Sequence, residues 1–246
     1  MTTDPPLLEV AGLTRRFGGL VAVNGLDLSV SRGEIVGLIG PNGAGKTTAF
    51  HLIAGFYAPS AGSVRFKGEP VVGLKPHAIC RRGLARTFQL VQPFAGLSAL
   101  ENAMIGALHR APSAGAARAQ AAEILDFVGL GRKRDVPAAR LTLPDRKRLE
   151  VARGLATRPD LLLLDEVMSG LNPTEIEETI GLIRRIHDRG VSLLVIEHVM
   201  QAIMALSDRL VVLHHGEKIA DGPPAEVARE RRVIEAYLGE PGAGVP

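Results

Sequence analysis

A single cysteine, Cys80, in 246 residues removes any intrachain disulfide and with it the stapled secreted scaffolds. Tryptophan is absent and aromatics make up 4% of the chain, too few to furnish the stacking platforms on which single-stranded nucleic acid is held. The 29 Lys and Arg stand against 26 Asp and Glu, a net +3 that gives little attraction for a polyanion. The basic clusters Arg132-Lys133-Arg134 and Arg146-Lys147-Arg148 carry no interleaved aromatics and read as solvated faces, so no nucleic-acid partner is expected. The longest apolar runs, 161–164 and 191–196 with Ser192 inside it, fall far short of the roughly 18 residues that a membrane span requires. Asp4, Pro5 and Pro6, with no basic leader before an apolar stretch, are unlike a secretory signal. Together these absences lead to an expectation of a chain that works in a reducing cytoplasm and does not cross a bilayer itself.

What is present is an ordinary α/β composition, 46% hydrophobic and 22% charged with 28 Gly and 16 Pro. Leu8 to Leu13 and Leu26 to Val30 read as short strands, and the apolar run Glu34 to Ile39 reads as a buried central strand running into a Gly-rich turn. Lys46 to Ala54 has the character of a helix stopped by Gly55, and Val64 to Phe66 that of a strand between Gly62 and Gly68. From about Glu101 to Thr157 the chain turns Ala- and Arg-rich with helical spacing, which predicts a helical insertion. Strand patterns resume at 161–164, 191–196 and 209–213, and the last turns through His215-Gly216 into 218–220. Between the first two lies a strongly signalled helix: Asn172 as N-cap, Pro173 at its first position, Glu175 at the third, and Gly190 past its end. Strand, helix, strand implies a parallel sheet. A short helix pattern closes the tail after Pro223.

Gly40-Pro41-Asn42-Gly43-Ala44-Gly45-Lys46-Thr47 matches the spacing G-x-x-x-x-G-K-[ST] between a predicted buried strand and a predicted helix. In that setting successive backbone N–H groups and the helix N-terminus converge on a phosphate. Lys46 then sets a point charge against two phosphates, and Thr47, a hydroxyl followed by Thr48, faces Mg²⁺. The apolar run 161–164 ends in Asp165 and Glu166, at the strand end where open α/β sheets hold their ligands. Asp165 suits Mg²⁺, and Glu166 suits a water attacking the γ-phosphorus. His198 follows another core strand pattern, and Gln89 follows Arg86-Thr87-Phe88. Either residue type, met alone, is more often structural than functional, and neither would be nominated without the other motifs.

The order phosphate loop, Gln89, helical insertion, Leu149-Glu150-Val151-Ala152-Arg153, Asp165-Glu166, Leu171 and His198 resembles the nucleotide-binding subunit of ABC transporters over essentially the whole chain. Phe17 to Val23, Arg86 to Gln89, Gly170 to Pro173 and Ala236 to Gly239 are similar to the ATPase subunits of branched-chain amino acid importers. The resemblance implies a P-loop α/β core with a mainly parallel sheet, an N-terminal antiparallel β part and an inserted α-helical subdomain. Its expected bounds are 1–88 with 158–222 for the core, 89–157 for the helical part and 223–246 for the tail. It makes Phe17 the aromatic on adenine, Gln89 a Mg²⁺-site residue that faces the membrane partner, and Glu166 the catalytic carboxylate with Lys46. It also makes His198 the γ-phosphate switch. ATP and Mg²⁺ are the implied cofactors. The implied partners are integral-membrane permease subunits, a second ATPase subunit that is identical or different, and indirectly a substrate-binding protein. The chain would sit on the cytoplasmic face of the membrane.

The resemblance breaks at the signature that is expected to serve the opposite ATPase's nucleotide. The family pattern Leu-Ser-Gly-Gly-Gln is replaced by Leu141, Thr142, Leu143, Pro144 and Asp145. Both glycines are gone, Pro144 has no N–H to donate, and Asp145 is expected to set negative charge where a γ-phosphate docks. The same residues also suit a helix start, Pro in its first turn and acid beside its positive end. Val167 and Val199 replace the usual Pro and Asp after Glu166 and His198. Two rival readings stay open: a nucleotide-gated structural subunit that hydrolyses weakly, and the ATPase of another system such as a urea importer or lipid exporter.

Overall fold

The computed structural model describes residues 5–88 and 93–238. In chain order its elements are β1 (Leu8–Phe17), β2 (Leu20–Val30), β3 (Ile35–Ile39), α1 (Lys46–Ile53), β4 (Ala61–Phe66), β5 (Glu69–Pro70), α2 (Pro76–Arg82) and β6 (Leu84–Arg86). The helices α3 (Ala99–Ala107), α4 (Ala114–Phe127) and α5 (Leu143–Ala156) follow, and then β7 (Leu161–Asp165) and α6 (Pro173–Asp188). The chain continues through β8 (Ser192–Ile196), α7 (Met200–Leu206), β9 (Arg209–His214), β10 (Glu217–Gly222), α8 (Pro224–Val227) and α9 (Arg231–Leu238). Two compact units result, residues 1–76 with 192–246, and residues 77–191.

In the first unit β2, β1, β4 and β5 lie side by side in an antiparallel sheet. β1 and β2 run on past the segments expected from alternation and meet at a two-residue Gly18-Gly19 turn, where Phe17 faces Leu20. Register shifts after Val10, Leu13 and Arg15 interrupt the alternation, which is why only its regular part was legible. β3 is buried along its whole length and pairs in parallel with β8 on one side and β9 on the other. β10 returns antiparallel to β9. A Cβ at Gly37 would collide with Leu210, Ser207 and Ile203, so glycine there lets α7 lie close against β3. α7 was not foreseen: it has seven residues and its N-cap, Val199, makes no side-chain cap.

In the second unit β6 and β7 pair in parallel from Leu84 opposite Leu161 to Arg86 opposite Leu163. α3, α4 and α5 fall within the Ala-rich stretch and pack through small side chains, with Ala107, Ala117 and Ala156 fully buried together and Ile124 against them. α2, also unforeseen, opens on Pro76 and buries only Ile79. α3 begins with a Ser98–Glu101 capping box and α6 with the expected Asn172–Glu175 box. Each box satisfies two otherwise orphaned backbone donors. Among the described residues no helix is long and apolar enough to cross a membrane.

Candidate active site

The phosphate loop and His198 belong to the first unit, while Asp165, Glu166 and Leu141 to Asp145 belong to the second. Gln89 lies outside the described residues, as do Leu90, Val91 and Gln92.

Between β3 and α1 the loop wraps on itself. Gly40 (φ 149°) lies where a Cβ would strike the Leu213 carbonyl, and Gly45 (φ 102°) where one would strike the Ala22 carbonyl. Only glycine fits either the space or, at Gly45, the left-handed backbone. Ala44 is buried, and its N–H donates to the Pro41 carbonyl at 3.2 Å. The Ala44 carbonyl accepts from Gly216 N–H at 3.0 Å, so the β9–β10 turn braces the loop. Asn42 and Gly43 are exposed, and Thr47 and Thr48 are half-buried. Lys46 is 8% exposed, and its Nζ donates to the carbonyls of Gly40 at 2.6 Å and Pro41 at 2.9 Å. α1 starts on Gly45 with no side-chain cap and no acid in its first turn. Its N-terminal donors and positive end are thereby left for an anion from outside the chain.

Phe17 is 39% exposed at the β1–β2 turn and edge-on to Tyr57 with centroids 5.5 Å apart. The Arg15 guanidinium lies 4.5 Å from the Phe17 centroid. Tyr57 was missed because it sits in a loop after α1 with no motif around it. His198 is exposed immediately before α7. The tail reaches the loop too: burial raises the Tyr237 hydroxyl, and a hydrogen bond with the Gly40 backbone partly offsets that rise.

In the second unit Asp165 ends β7 fully buried, with Oδ2 2.7 Å from Arg86 Nη2, itself buried at the end of β6. The Asp165 N–H donates to Thr87 Oγ1 at 3.1 Å. Arg86 stood in a sequence feature that suggested a family and not a contact; only the parallel pairing of β6 with β7 brings it to Asp165. Glu166 takes a left-handed backbone, φ 49°, uncommon without glycine. Its carbonyl accepts from Lys147 Nζ at 2.8 Å. Lys147 is 6% exposed, which corrects the reading of Arg146-Lys147-Arg148 as a solvated face. Arg146 donates to the Leu141 and Ala139 carbonyls, and Arg148 pairs with Glu178.

The signature segment is a self-capped helix start. Thr142 is the N-cap, its hydroxyl accepting from Asp145 N–H at 3.4 Å and donating to Asp145 Oδ2 at 2.7 Å. Lys133 Nζ stands 2.5 Å from the same carboxylate oxygen. Burial alone would push this carboxyl up, but the hydrogen bonds from Lys133 and Thr142 together hold it below its ordinary value. The expected exposed negative charge is therefore corrected: Asp145 is buried and matched by Lys133, in a cluster also read as solvated. Leu143 is 46% exposed. Further along α5, burial raises the Glu150 carboxyl, opposed by Arg153 and by the Phe88 N–H. Arg153 pairs with Glu150 at 2.8 Å and lies 5.3 Å from the ring centroid of Phe94. One turn of α5 thus contacts Phe88, just before 89–92, and Phe94, the second described residue after them.

Among the described residues no three His, Cys, Asp or Glu side chains gather as a metal-holding group. Thr47 in the first unit offers a hydroxyl and Asp165 in the second a carboxylate, each an oxygen donor of the kind Mg²⁺ takes while keeping most of its waters.

The ABC transporter family matches residues 23–169, and the relatives below align over nearly all of the chain. The chain belongs to the ABC transporter family. It is an ATP-hydrolysing cassette, and its residues 217–243 also match the family described as the branched-chain amino acid ATP-binding cassette transporter. The high-affinity branched-chain amino acid transport ATP-binding protein BraF of Pseudomonas aeruginosa is 42% identical, over 96% of this chain and 98% of its own. LivG of Escherichia coli, of the same description, is 40% identical over the same shares. The Nod factor export ATP-binding protein I of Burkholderia orbicola is 36% identical over 96% of this chain and 78% of its own. Among solved structures, a nucleotide-free ATP-binding cassette from an ABC transporter superposes with TM-score 0.88 at 28% identity, over 96% of this chain and all of its own. The ADP conformation of such a cassette gives 0.87 at the same identity and shares.

Proposed function

We propose that this ABC ATPase powers an importer of branched-chain amino acids from the cytoplasmic face of the membrane. The carrying observation is the end-to-end identity of 42% and 40% with two branched-chain amino acid transport ATP-binding proteins. In this reading the loop backbone from Gly40 to Thr48 and the Lys46 ammonium grip the phosphates, exchanging the Gly40 and Pro41 carbonyls for phosphate oxygens. Phe17 carries the adenine. Thr47 and Asp165, and by family resemblance Gln89, would hold Mg²⁺, which would supply positive charge to the transferred phosphoryl. Glu166 orients and deprotonates the attacking water, and His198 senses the γ-phosphate. Permease subunits dock beside Phe94, which is 49% exposed with its backbone pinned to buried Asn102 at 2.9 and 3.1 Å. A second ATPase subunit completes the pair, and a substrate-binding protein delivers the amino acid to the permease.

The test is reconstitution with the permeases that co-purify from the membrane. The expected result is uptake of labelled leucine driven by ATP. Hydrolysis with no leucine, isoleucine or valine uptake overturns the substrate assignment. Outward lipid movement in the same vesicles would instead support the exporter reading that the Nod factor relative keeps open.

A further inference from the structure

A cavity of about 330 Å³ lies within the second unit, away from the residues assigned to nucleotide. Its wall is formed by α4, the C-terminal ends of α5 and α6, and the residues that follow them. Ile124, Phe127, Leu155, Ile186 and Val191 give it branched and aromatic apolar surface. Its polar members are Gln120, Glu123, Arg158 and Arg189. Gln120 is only 9% exposed; its Nε2 donates to the Ala156 carbonyl at 2.8 Å, and its Oε1 is buried with no hydrogen-bond partner. The Gln120 amide is thus fixed against α5 where it lines the cavity. Arg189 is held over the Phe127 ring at 3.6 Å from the centroid, a stacked guanidinium with donors remaining at its edge. Arg158 takes a left-handed backbone, φ 53°, immediately after the last turn of α5.

The occupant this wall fits has three parts. Two guanidiniums ask for a carboxylate. The Glu123 carboxylate and the negative ends of α5 and α6 ask for a cationic donor. The apolar side, of Ile, Leu, Val and Phe, asks for a short branched hydrocarbon, and the volume admits a molecule of that size. We propose that this pocket binds a free α-amino acid with a branched aliphatic side chain. That this ligand is also the transported product rests on the importer reading; its binding does not.

Leucine would be titrated into the full-length chain by calorimetry and by saturation transfer to its methyl protons. A ligand of this size in a partly open pocket should bind with a dissociation constant of about a millimolar or below. Arg158→Asn, which tolerates the left-handed backbone, and Arg189→Gln should each weaken leucine about tenfold while leaving ATP titration unchanged. The analogue 4-methyl-2-oxopentanoate, lacking the ammonium, and isopentylamine, lacking the carboxylate, should bind at least about tenfold more weakly. No saturable leucine binding, or binding equally tight in both variants, overturns the site. Keto acid binding as tight as leucine overturns the amino-acid assignment. Leucine uptake by the reconstituted transporter with no binding to this chain rejects the pocket and keeps the importer; binding without uptake does the reverse.

Discussion

The starts of α1 and α5 are the two helix N-termini that family resemblance aims at phosphate. They are built oppositely. α1 begins on Gly45 with no side-chain cap and no acid in its first turn, and the cation beside it, Lys46, rests on two loop carbonyls. α5 begins on Thr142, supplies its own anion in Asp145 and matches that anion with Lys133. An uncapped helix start is stabilised by what it binds, whereas a self-capped one is already satisfied. On the proposed role of this segment, the departure from the signature pattern would act through donors that are missing or already engaged, Pro144 having no N–H and Asp145 N–H going to Thr142, since the charge of Asp145 is matched by Lys133.

The largest effects test α1. Lys46→Ala should weaken ATP binding at least about tenfold and reduce phosphate release to background; an unchanged ATP titration removes the phosphate loop from one side of the comparison. Glu166→Gln should lower hydrolysis by about 10²- to 10⁴-fold while preserving ATP affinity, so that ATP-bound protein accumulates. Normal turnover would show that another group activates the water.

The contrast sharpens in the assembled transporter. With a dissimilar second ATPase, Lys46→Ala should cost more hydrolysis than loss of that subunit's own loop lysine, because only the site using Lys46 faces the other subunit's signature. Equal losses, or vigorous cooperative hydrolysis by this chain alone as a homodimer, would erase the difference between the two helix starts. Phe94→Ala, in the loop before α3 with its ring beside Arg153 of α5, should reduce transport with ATP binding intact; a stable variant that transports normally removes Phe94 from the permease contact.

The smallest effects test the self-capping. Thr142→Ala should destabilise the protein by about 1 kcal/mol, read as a lower thermal midpoint, with little change in ATP affinity. Asp145 is held below its ordinary value in the folded protein, so its contribution is present above about pH 4 and lost as pH falls through the lowered value. Asp145→Asn should therefore flatten the acid side of the stability profile. An unchanged profile would mean that the Lys133 contact is not maintained in solution.

Much of this was legible in advance where local rules suffice. The phosphate loop follows from glycines that alone allow the curl, and the α6 capping box from Asn172 and Glu175 at fixed spacing. Other features escaped because their cause is distant. Arg86 meets Asp165 across 79 positions through a strand pairing. Lys147 and Lys133 looked like solvent-facing charge because sequence shows neighbours along the chain and not the Glu166 carbonyl or the Asp145 carboxylate. Tyr57 meets Phe17 only when β1 and the loop after α1 converge.

By itself the sequence determined the main core strands, α1 and α6, the Gly-rich turn between β3 and α1 and the position of the acidic pair, because each depends on backbone preferences and periodicity within a few residues. Tertiary structure decided whether a charge is available. Asp145 and Lys147 are charged residues by sequence, yet one is neutralised by Lys133 and the other engaged by a carbonyl, since burial makes an unmatched charge too costly and partners are drawn from wherever the fold brings them.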